Sequence, residues 1–212
     1  MSEDKKIYLL KETAEFNFVK ETDEKGGQKV SSYGNMLVRG ILQKADTLNQ
    51  NGRIYPKDIL EKEVENYRKL IKERRALGEC DHADEAVVNL KHTSHVITDI
   101  WWEGNEVWGQ IEILEDMIQG QQIKTLFKNG IKVGISSRAI GSVKTMGGVN
   151  YVQEDLQLIC WDFVSEPSTP GAFMFAEARQ LSNLELKKLQ DSLSKTDKIN
   201  RIANDLLGIK KI

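Results

Sequence analysis

The chain has 212 residues, 40% of them hydrophobic and 29% charged, which suffices for one sizeable domain plus a tail. Its 30 basic and 32 acidic residues leave a net charge of −2, so no overall positive field attracts nucleic acid or an anionic membrane. No stretch reaches the roughly 18 consecutive apolar residues of a membrane-spanning helix, no secretory signal is visible, and two cysteines, Cys80 and Cys160, fit reduced thiols in the cytosol better than a disulfide framework.

The first half of the chain predicts one strand and one helix. Residues 1–30 are mixed and charged, and we expect a variable, partly mobile segment there. An apolar strand is predicted from Met36 to Leu42, followed by an Asn-Gly turn at 49–53. Pro56 favours a helix start, with Gly78 as a plausible stop. The helix itself is predicted by one apolar stripe: Leu60, Val64, Tyr67 and Ile71.

The second half predicts mainly strands. Residues 96–113 indicate a hairpin across Glu103–Asn105, with its tryptophans packed in a core or barrel wall. A short helix at 115–128 ends at Asn129-Gly130. An alternating strand then runs from Ile131 into Ser136, and a glycine pair at 147–148 signals a turn. The strand at 156–164 is apolar on both sides, which favours a central position in its sheet.

The last 35 residues, 178–212, change in composition. They are rich in Lys, Asp and Leu, and a second helical stripe predicts a helical tail outside the β-rich body. We therefore expect three parts: the segment 1–30, a main domain over 31–177, and the tail over 178–212.

All three histidines lie between positions 82 and 95. His82 is flanked by carboxylates in a predicted loop, where an imidazole can act as a general base near neutral pH, although a solvated loop histidine is the simpler reading. A zinc site is a minor alternative, but its spacing matches no standard finger. Its ligands would be Cys80, His82, His92 and His95.

Two serines end the predicted strand before Arg138. Alternation places Ser136 on the face opposite Ile135, away from the apolar row. A serine nucleophile needs a base within hydrogen-bond reach and donors for the developing oxyanion. Serine pairs in turns are common, so this pattern alone leaves the role of Ser136 and Ser137 open.

Asp162 interrupts the apolar strand at 156–164. A carboxylate on an apolar face has to be exposed at a sheet edge, protonated or paired. Pairing with an imidazole would make Asp162 the orienting member of a catalytic triad, and an exposed strand end is nearly as good an interpretation.

Taken in order, five motifs resemble the prohead core proteases of large contractile-tailed bacteriophages. They are Asn49-Gln50-Asn51-Gly52-Arg53-Ile54-Tyr55-Pro56, Gly78-Glu79-Cys80-Asp81-His82, Trp101-Trp102, the segment from Gly134 to Ser142, and the segment from Asp162 to Pro170. The resemblance runs from about Met36 to Phe175 and excludes the first 30 residues and the tail.

The resemblance implies an α+β fold similar to the herpesvirus assembly proteases, a β-barrel core flanked by helices. It implies a serine endopeptidase, active without a metal or cofactor inside the prohead in the host cytoplasm. The substrates would be the scaffold or core proteins and the major capsid protein, with no nucleic acid or membrane partner and with a homo-oligomer as one expectation. The alternative is a non-enzymatic capsid scaffold or assembly protein that binds partners through the tail.

On matching positions, the resemblance makes His82 the general base and Ser136 the nucleophile, with Ser137 as the adjacent alternative. The herpesvirus relatives place a second histidine after the nucleophile, but this chain has none after His95. We therefore assign Asp162 to the third position, with Glu79 and Asp81 as local alternatives, whereas His92 or His95 would require a different layout. Arg138 and its N–H are expected to support the oxyanion.

Family members of this kind cut after Glu in Leu/Ile-x-Glu and often cleave themselves. We expect self-cleavage only after Glu12, because its segment is predicted to be mobile. The tripeptides considered are Leu10-Lys11-Glu12, Ile71-Lys72-Glu73, Leu77-Gly78-Glu79 and Ile113-Leu114-Glu115.

Overall fold

The computed structural model describes residues 6–15, 19–20, 27, 29–49, 51–81, 86–165 and 178–180, with backbone alone for 12–15, 19–20 and 178–180. Contacts divide the chain into two compact units, 1–179 and 180–212. Within the described part, no helix has the length and apolar character needed to cross a membrane.

Twelve strands and two helices make up the described part. The strands are β1 (Tyr8–Glu15), β2 (Val19–Lys20), β3 (Leu37–Lys44), β4 (Arg53–Ile54), β5 (Leu77–Glu79), β6 (Thr93–Glu103), β7 (Glu106–Ile113), β8 (Gly134–Gly141), β9 (Val143–Met146), β10 (Val149–Val152), β11 (Gln157–Val164) and β12 (Ala178–Gln180). The helices are α1 (Lys57–Lys72) and α2 (Ile118–Lys128).

The strands form three sheets in the described part of the chain. Their orders are β11-β8-β1-β12, β4-β10-β9 and β2-β3-β7-β6-β5. These strands form no closed barrel, so the expected β-barrel core is not found in the described part of the chain. Between the two larger sheets, Cys80 and Phe163 form a single parallel bridge, where a barrel would need a continuous ladder.

One hydrophobic core joins the two larger sheets and both helices. Val38 of β3, Ile111 of β7 and Ile135 of β8 are fully buried in it, and Leu60 and Phe127 contribute from α1 and α2. The sheets therefore cover opposite sides of shared apolar side chains, which fixes β8 and β11 relative to the rest.

Elements that depend on local sequence patterns are found where the sequence predicted them. The predicted hairpin is β6–β7, joined at Gly104, whose φ of +62° suits the tight turn. The predicted second helix is α2, which begins three residues late and ends at Asn129 followed by Gly130 with φ +69°. The glycine pair at 147–148 joins β9 and β10, and the predicted strand at 36–42 is β3.

Gly78 does not end the first helix, as the sequence had predicted. Helix α1 ends at Lys72, and Arg74 follows with φ +55°. Gly78 lies in β5 instead, where an added Cβ would come within 2.2 Å of the Trp161 carbonyl oxygen and 2.3 Å of His95 Nε2. Glycine is needed there for close approach between strands.

Two strand assignments also change. The sequence predicted no element in 1–30, yet β1 lies between β8 and β12, and Leu9 and Leu10 are buried. The strand at 156–164 is β11 and is an outer strand of its sheet rather than a central one. Its apolar character reflects burial on both faces from Cys160 to Val164, and the β5 segment covers its outer edge through the Cys80–Phe163 bridge.

Of the predicted helical tail, only residues 178–180 are described, and they form β12. The rest of 178–212 lies outside the described residues.

Candidate active site

Ser136 and Asp162 lie directly opposite each other on neighbouring strands. In the antiparallel pair β8–β11, Ser136 is matched with Asp162 and Ser137 with Trp161. Directly opposite residues in such a pair point to the same face. Ile135 and Phe163, the neighbours of Ser136 and Asp162, belong to the hydrophobic core. Ser136 and Asp162 therefore share the face that turns away from the core.

Arg138 lies two residues along β8 and forms an ion pair with Asp162. Arg138 Nε is 3.1 Å from Asp162 Oδ2, and its Nη2 donates to Asp162 Oδ1 at 3.3 Å and to Glu79 Oε1 at 2.9 Å. All three side chains are fully buried. Two carboxyl groups from different strands thus share one guanidinium.

The charge of Arg138 is secured by its surroundings. Burial would lower the pKa of the guanidinium, but the carboxylates of Asp162 and Glu79 outweigh it and raise that pKa. Burial in turn raises the pKa of the Cys160 thiol, with a further rise from Asp162, so that thiol is neutral and contributes no nucleophile at physiological pH.

Strand β5 carries the chain to this cluster. The Glu79 N–H donates to Asp162 Oδ1 at 2.9 Å, and the Asp81 N–H donates to the Phe163 carbonyl at 2.7 Å. Asp81 is therefore fixed one residue away from Asp162 along β11. His82, the predicted base, follows immediately in sequence but lies outside the described residues, as do residues 83–85.

The other two histidines occupy different environments. His95 is fully buried, its Nε2 is 3.0 Å from the Trp161 carbonyl, and its Nδ1 is 2.8 Å from Ser94 Oγ. A carbonyl only accepts, so Nε2 carries the proton and Nδ1 accepts from the serine. Burial lowers the pKa of His95 to about 4. His92 is half-exposed, with Nδ1 3.9 Å from Glu79 Oε2.

This arrangement gives little support to the zinc alternative. Both ring nitrogens of His95 are already committed to hydrogen bonds within the core. Among the described residues, no group of three or more His, Cys, Asp or Glu side chains is arranged to hold a metal ion. Cys80 is half-buried, and burial raises the pKa of its thiol.

Ser137 points to the opposite side of β8 from Ser136. It shares its face with Ile135 and Ala139, and its partner on β11 is the fully buried Trp161. Its hydroxyl is buried and has no hydrogen-bond partner among the residues that the structure describes. Ser137 thus faces the hydrophobic core, whereas Ser136, which is equally buried, faces the Arg138–Asp162 ion pair.

Comparison with known proteins yields a family. The model of the prohead core protein serine protease family matches residues 10–183, most of the chain. The chain belongs to this family. It is 36% identical over 143 residues to the prohead core protein protease of Enterobacteria phage T4, a match covering 66% of this chain and 68% of that protein. The structure of the bacteriophage T4 capsid assembly protease matches with a TM-score of 0.67 and 30% identity, over 76% of this chain and 99% of that one.

The recognition from sequence is therefore confirmed, and family membership supports a peptidase of capsid maturation. The sequence did not predict that Arg138 holds Asp162 and Glu79 together. Glu79 was considered only as an alternative triad member, and the Gly-Glu-x-x-His spacing gave no sign of its partner 59 residues away. Ion pairs between distant strands depend on register, which local patterns do not encode.

Proposed function

We propose that this prohead protease is a serine endopeptidase with Ser136 as nucleophile, His82 as general base and Asp162 as the orienting carboxylate. The observation that carries the proposal is the register that places Ser136 opposite Asp162, on the face turned away from the core. The anchoring of Asp81 on the Phe163 carbonyl supports His82, because it brings the chain to β11 one residue before that histidine.

The chemistry follows acyl transfer. The imidazole accepts the proton of the Ser136 hydroxyl as its oxygen attacks the scissile carbonyl, and then returns it to the leaving amine. A water molecule, deprotonated by the same imidazole, then attacks the acyl-enzyme and releases the acyl group from Ser136. The Asp162 carboxylate, held by Arg138, orients the imidazole and stabilises the imidazolium formed in between. In this proposal the Arg138 guanidinium holds Asp162 in place, so its side chain serves the orienting carboxylate rather than the oxyanion that the sequence had suggested.

The proposed substrates are the core and capsid proteins of the prohead, cut after Glu in Leu/Ile-x-Glu. The enzyme acts inside the prohead in the host cell. The names of the family and of the T4 relatives support this setting.

Self-cleavage after Glu12 belongs to the same proposal. The reason is now the position of β1 beside β8, rather than the mobility that the sequence predicted for this segment. Strand β1 is ordered and pairs with β8, with Glu12 opposite Ser137 and Thr13 opposite Ser136. The bond between Glu12 and Thr13 therefore lies level with the proposed nucleophile. The Ile71, Leu77 and Ile113 tripeptides lie within or directly after α1, β5 and β7, none of which pairs with β8 in the described part of the chain.

The test compares wild type with Ser136→Ala and the matched control Ser137→Ala. Each full-length protein is incubated with a peptide containing Leu-x-Glu, and products are identified by mass spectrometry. We expect Ser136→Ala to lose roughly a million-fold in kcat, and Ser137→Ala to keep the activity. Cleavage by Ser136→Ala at the wild-type rate, or its loss only in Ser137→Ala, would refute the assignment.

A further inference from the structure

The Asn49 side chain fixes the backbone of residues 51 and 53. Asn49 Oδ1 accepts the N–H groups of Asn51 at 3.0 Å and Arg53 at 2.8 Å. Gly52 reverses the chain with φ +66°, and its N–H donates to the Asn49 carbonyl. Arg53 then enters β4, which pairs in parallel with β10. The side chains of Asn51 and Arg53 are thus positioned by the fold in advance of any ligand.

Both of these side chains donate to the same main-chain carbonyl in β1. Asn51 Nδ2 and Arg53 Nη1 are each 3.0 Å from the Lys11 carbonyl oxygen. Arg53 is only 4% exposed, and burying a guanidinium costs free energy that packing alone does not require. Two donors, one of them charged, make a strong and directional site for a single backbone oxygen.

Lys11 is the middle residue of Leu10-Lys11-Glu12. Leu10 is 1% exposed and belongs to the hydrophobic core, whereas the Lys11 side chain is half-buried. The leucine is therefore bound through its apolar side chain, and the middle residue is bound through its main-chain carbonyl. This division matches a Leu-x-Glu pattern, in which any residue fits the middle position.

We propose that Asn51 and Arg53 form a main-chain clamp for the residue that precedes the cleaved glutamate. The clamp binds the chain's own Lys11 carbonyl first and then the equivalent carbonyl of an extended peptide segment in a protein substrate. This inference rests on the proposed function, because it takes β1 as occupying the place of a substrate strand. It gives the Asn-x-Asn-Gly-Arg motif a role in substrate binding.

The experiment weakens the acceptor atom in the substrate. Two synthetic peptides have the sequence of residues 6–17, one of them with a thioamide in place of the amide between the Lys and Glu positions. Sulfur is a poorer hydrogen-bond acceptor than oxygen, and this bond is not the one cleaved. Both peptides are given to full-length wild type, Asn51→Ala, Arg53→Gln and the double variant, and kcat/KM is measured for each.

For wild type we expect the thioamide to lower kcat/KM about tenfold, the worth of one to two hydrogen bonds. The double variant should cleave the two peptides at rates within about twofold, and each single variant should show a reduced ratio. If Arg53→Gln fails to fold, Asn51→Ala still tests the clamp. The controls make matched changes elsewhere: Asn129→Ala, which removes another amide bound to a carbonyl, and Arg75→Gln, on the surface.

The outcomes separate the two proposals. An unchanged thioamide penalty in Asn51→Ala and in every Arg53 variant that folds would overturn the clamp and leave the protease intact. A wild-type protein that cleaves neither peptide and leaves its own Glu12 bond intact would overturn the proposed function, and the clamp with it. A thioamide ratio that falls in the clamp variants and is retained in the controls supports the clamp, because a purely structural role would affect both peptides equally.

Discussion

Arg138 is fully buried, and both of its carboxylate partners come from other strands. Asp162 lies on β11, the strand beside β8, and Glu79 reaches across from β5. Three strands distant in sequence therefore converge on one guanidinium. Removing one member of such a buried set leaves uncompensated charge, which is the costly way to break an ion pair.

Arg138→Gln is therefore expected to lower the free energy of unfolding by about 3–5 kcal/mol, because Glu79 and Asp162 lose their counter-charge. Urea unfolding measures the change. The matched variant Arg75→Gln breaks an exposed pair with Glu73 and should cost about 0–1 kcal/mol. Equal effects of the two variants would contradict a structural role for the buried cluster.

His95 predicts a pH dependence of stability. Its pKa is lowered from 6.5 to about 4 by burial, so the unfolded chain binds a proton that the folded protein does not. Stability is then fully present above about pH 6.5 and falls as the pH drops toward 4, by about 3 kcal/mol in total.

The variant His95→Gln should flatten the stability profile between pH 6.5 and 4, and the half-exposed His92→Gln should not. Urea unfolding at a series of pH values gives the comparison, and the slope difference between variants removes the contribution of the carboxylates. A His95→Gln profile parallel to wild type would show that His95 titrates normally.

At the scale of elements, β5 joins the two larger sheets through a very close approach. Gly78→Ala should cost about 2–3 kcal/mol, because both atoms that the new Cβ meets are fixed: a backbone oxygen and a ring held by two hydrogen bonds. Gly109→Ala meets the Cδ1 and Cγ atoms of the buried Leu42 side chain at 2.5 and 2.9 Å, which can shift more easily than a backbone oxygen, and should cost less. Thermal and urea unfolding of both variants test the ranking, and a Gly109→Ala cost equal to that of Gly78→Ala would contradict it.

Local patterns predicted the elements better than the site. The α1 stripe, the β6–β7 hairpin and the 147–148 turn are set by short-range periodicity and turn residues, so the sequence was sufficient. Strand β1 was missed because Lys11 and Glu12 interrupt its apolar residues, and only pairing with β8 makes it a strand. The face of Ser136 followed from alternation, whereas the partner of Asp162 required the register between distant strands.

For the whole molecule, the position of β1 predicts the kinetic order of self-cleavage. The Glu12–Thr13 bond is opposite Ser137 and Ser136 of the same chain, so cleavage should be first order and its rate constant independent of protein concentration. Mass spectrometry of the amino-terminal fragment across a dilution series measures it. Glu12→Gln is the control expected to block it, and a rate that rises in proportion to concentration would indicate cleavage between molecules.

In the proposed mechanism, the pairing of β1 with β8 also limits which proteins the enzyme is expected to digest. A chain lying beside β8 has to be extended and has to offer unpaired backbone groups along one edge. Ile71-Lys72-Glu73 and Leu77-Gly78-Glu79 carry the required letters, but α1 and β5 already use their backbone. The same tripeptide is therefore expected to resist cleavage inside a folded domain and to be cleaved in an unfolded segment. Cleavage of a protein would then report whether the segment that carries the tripeptide is folded.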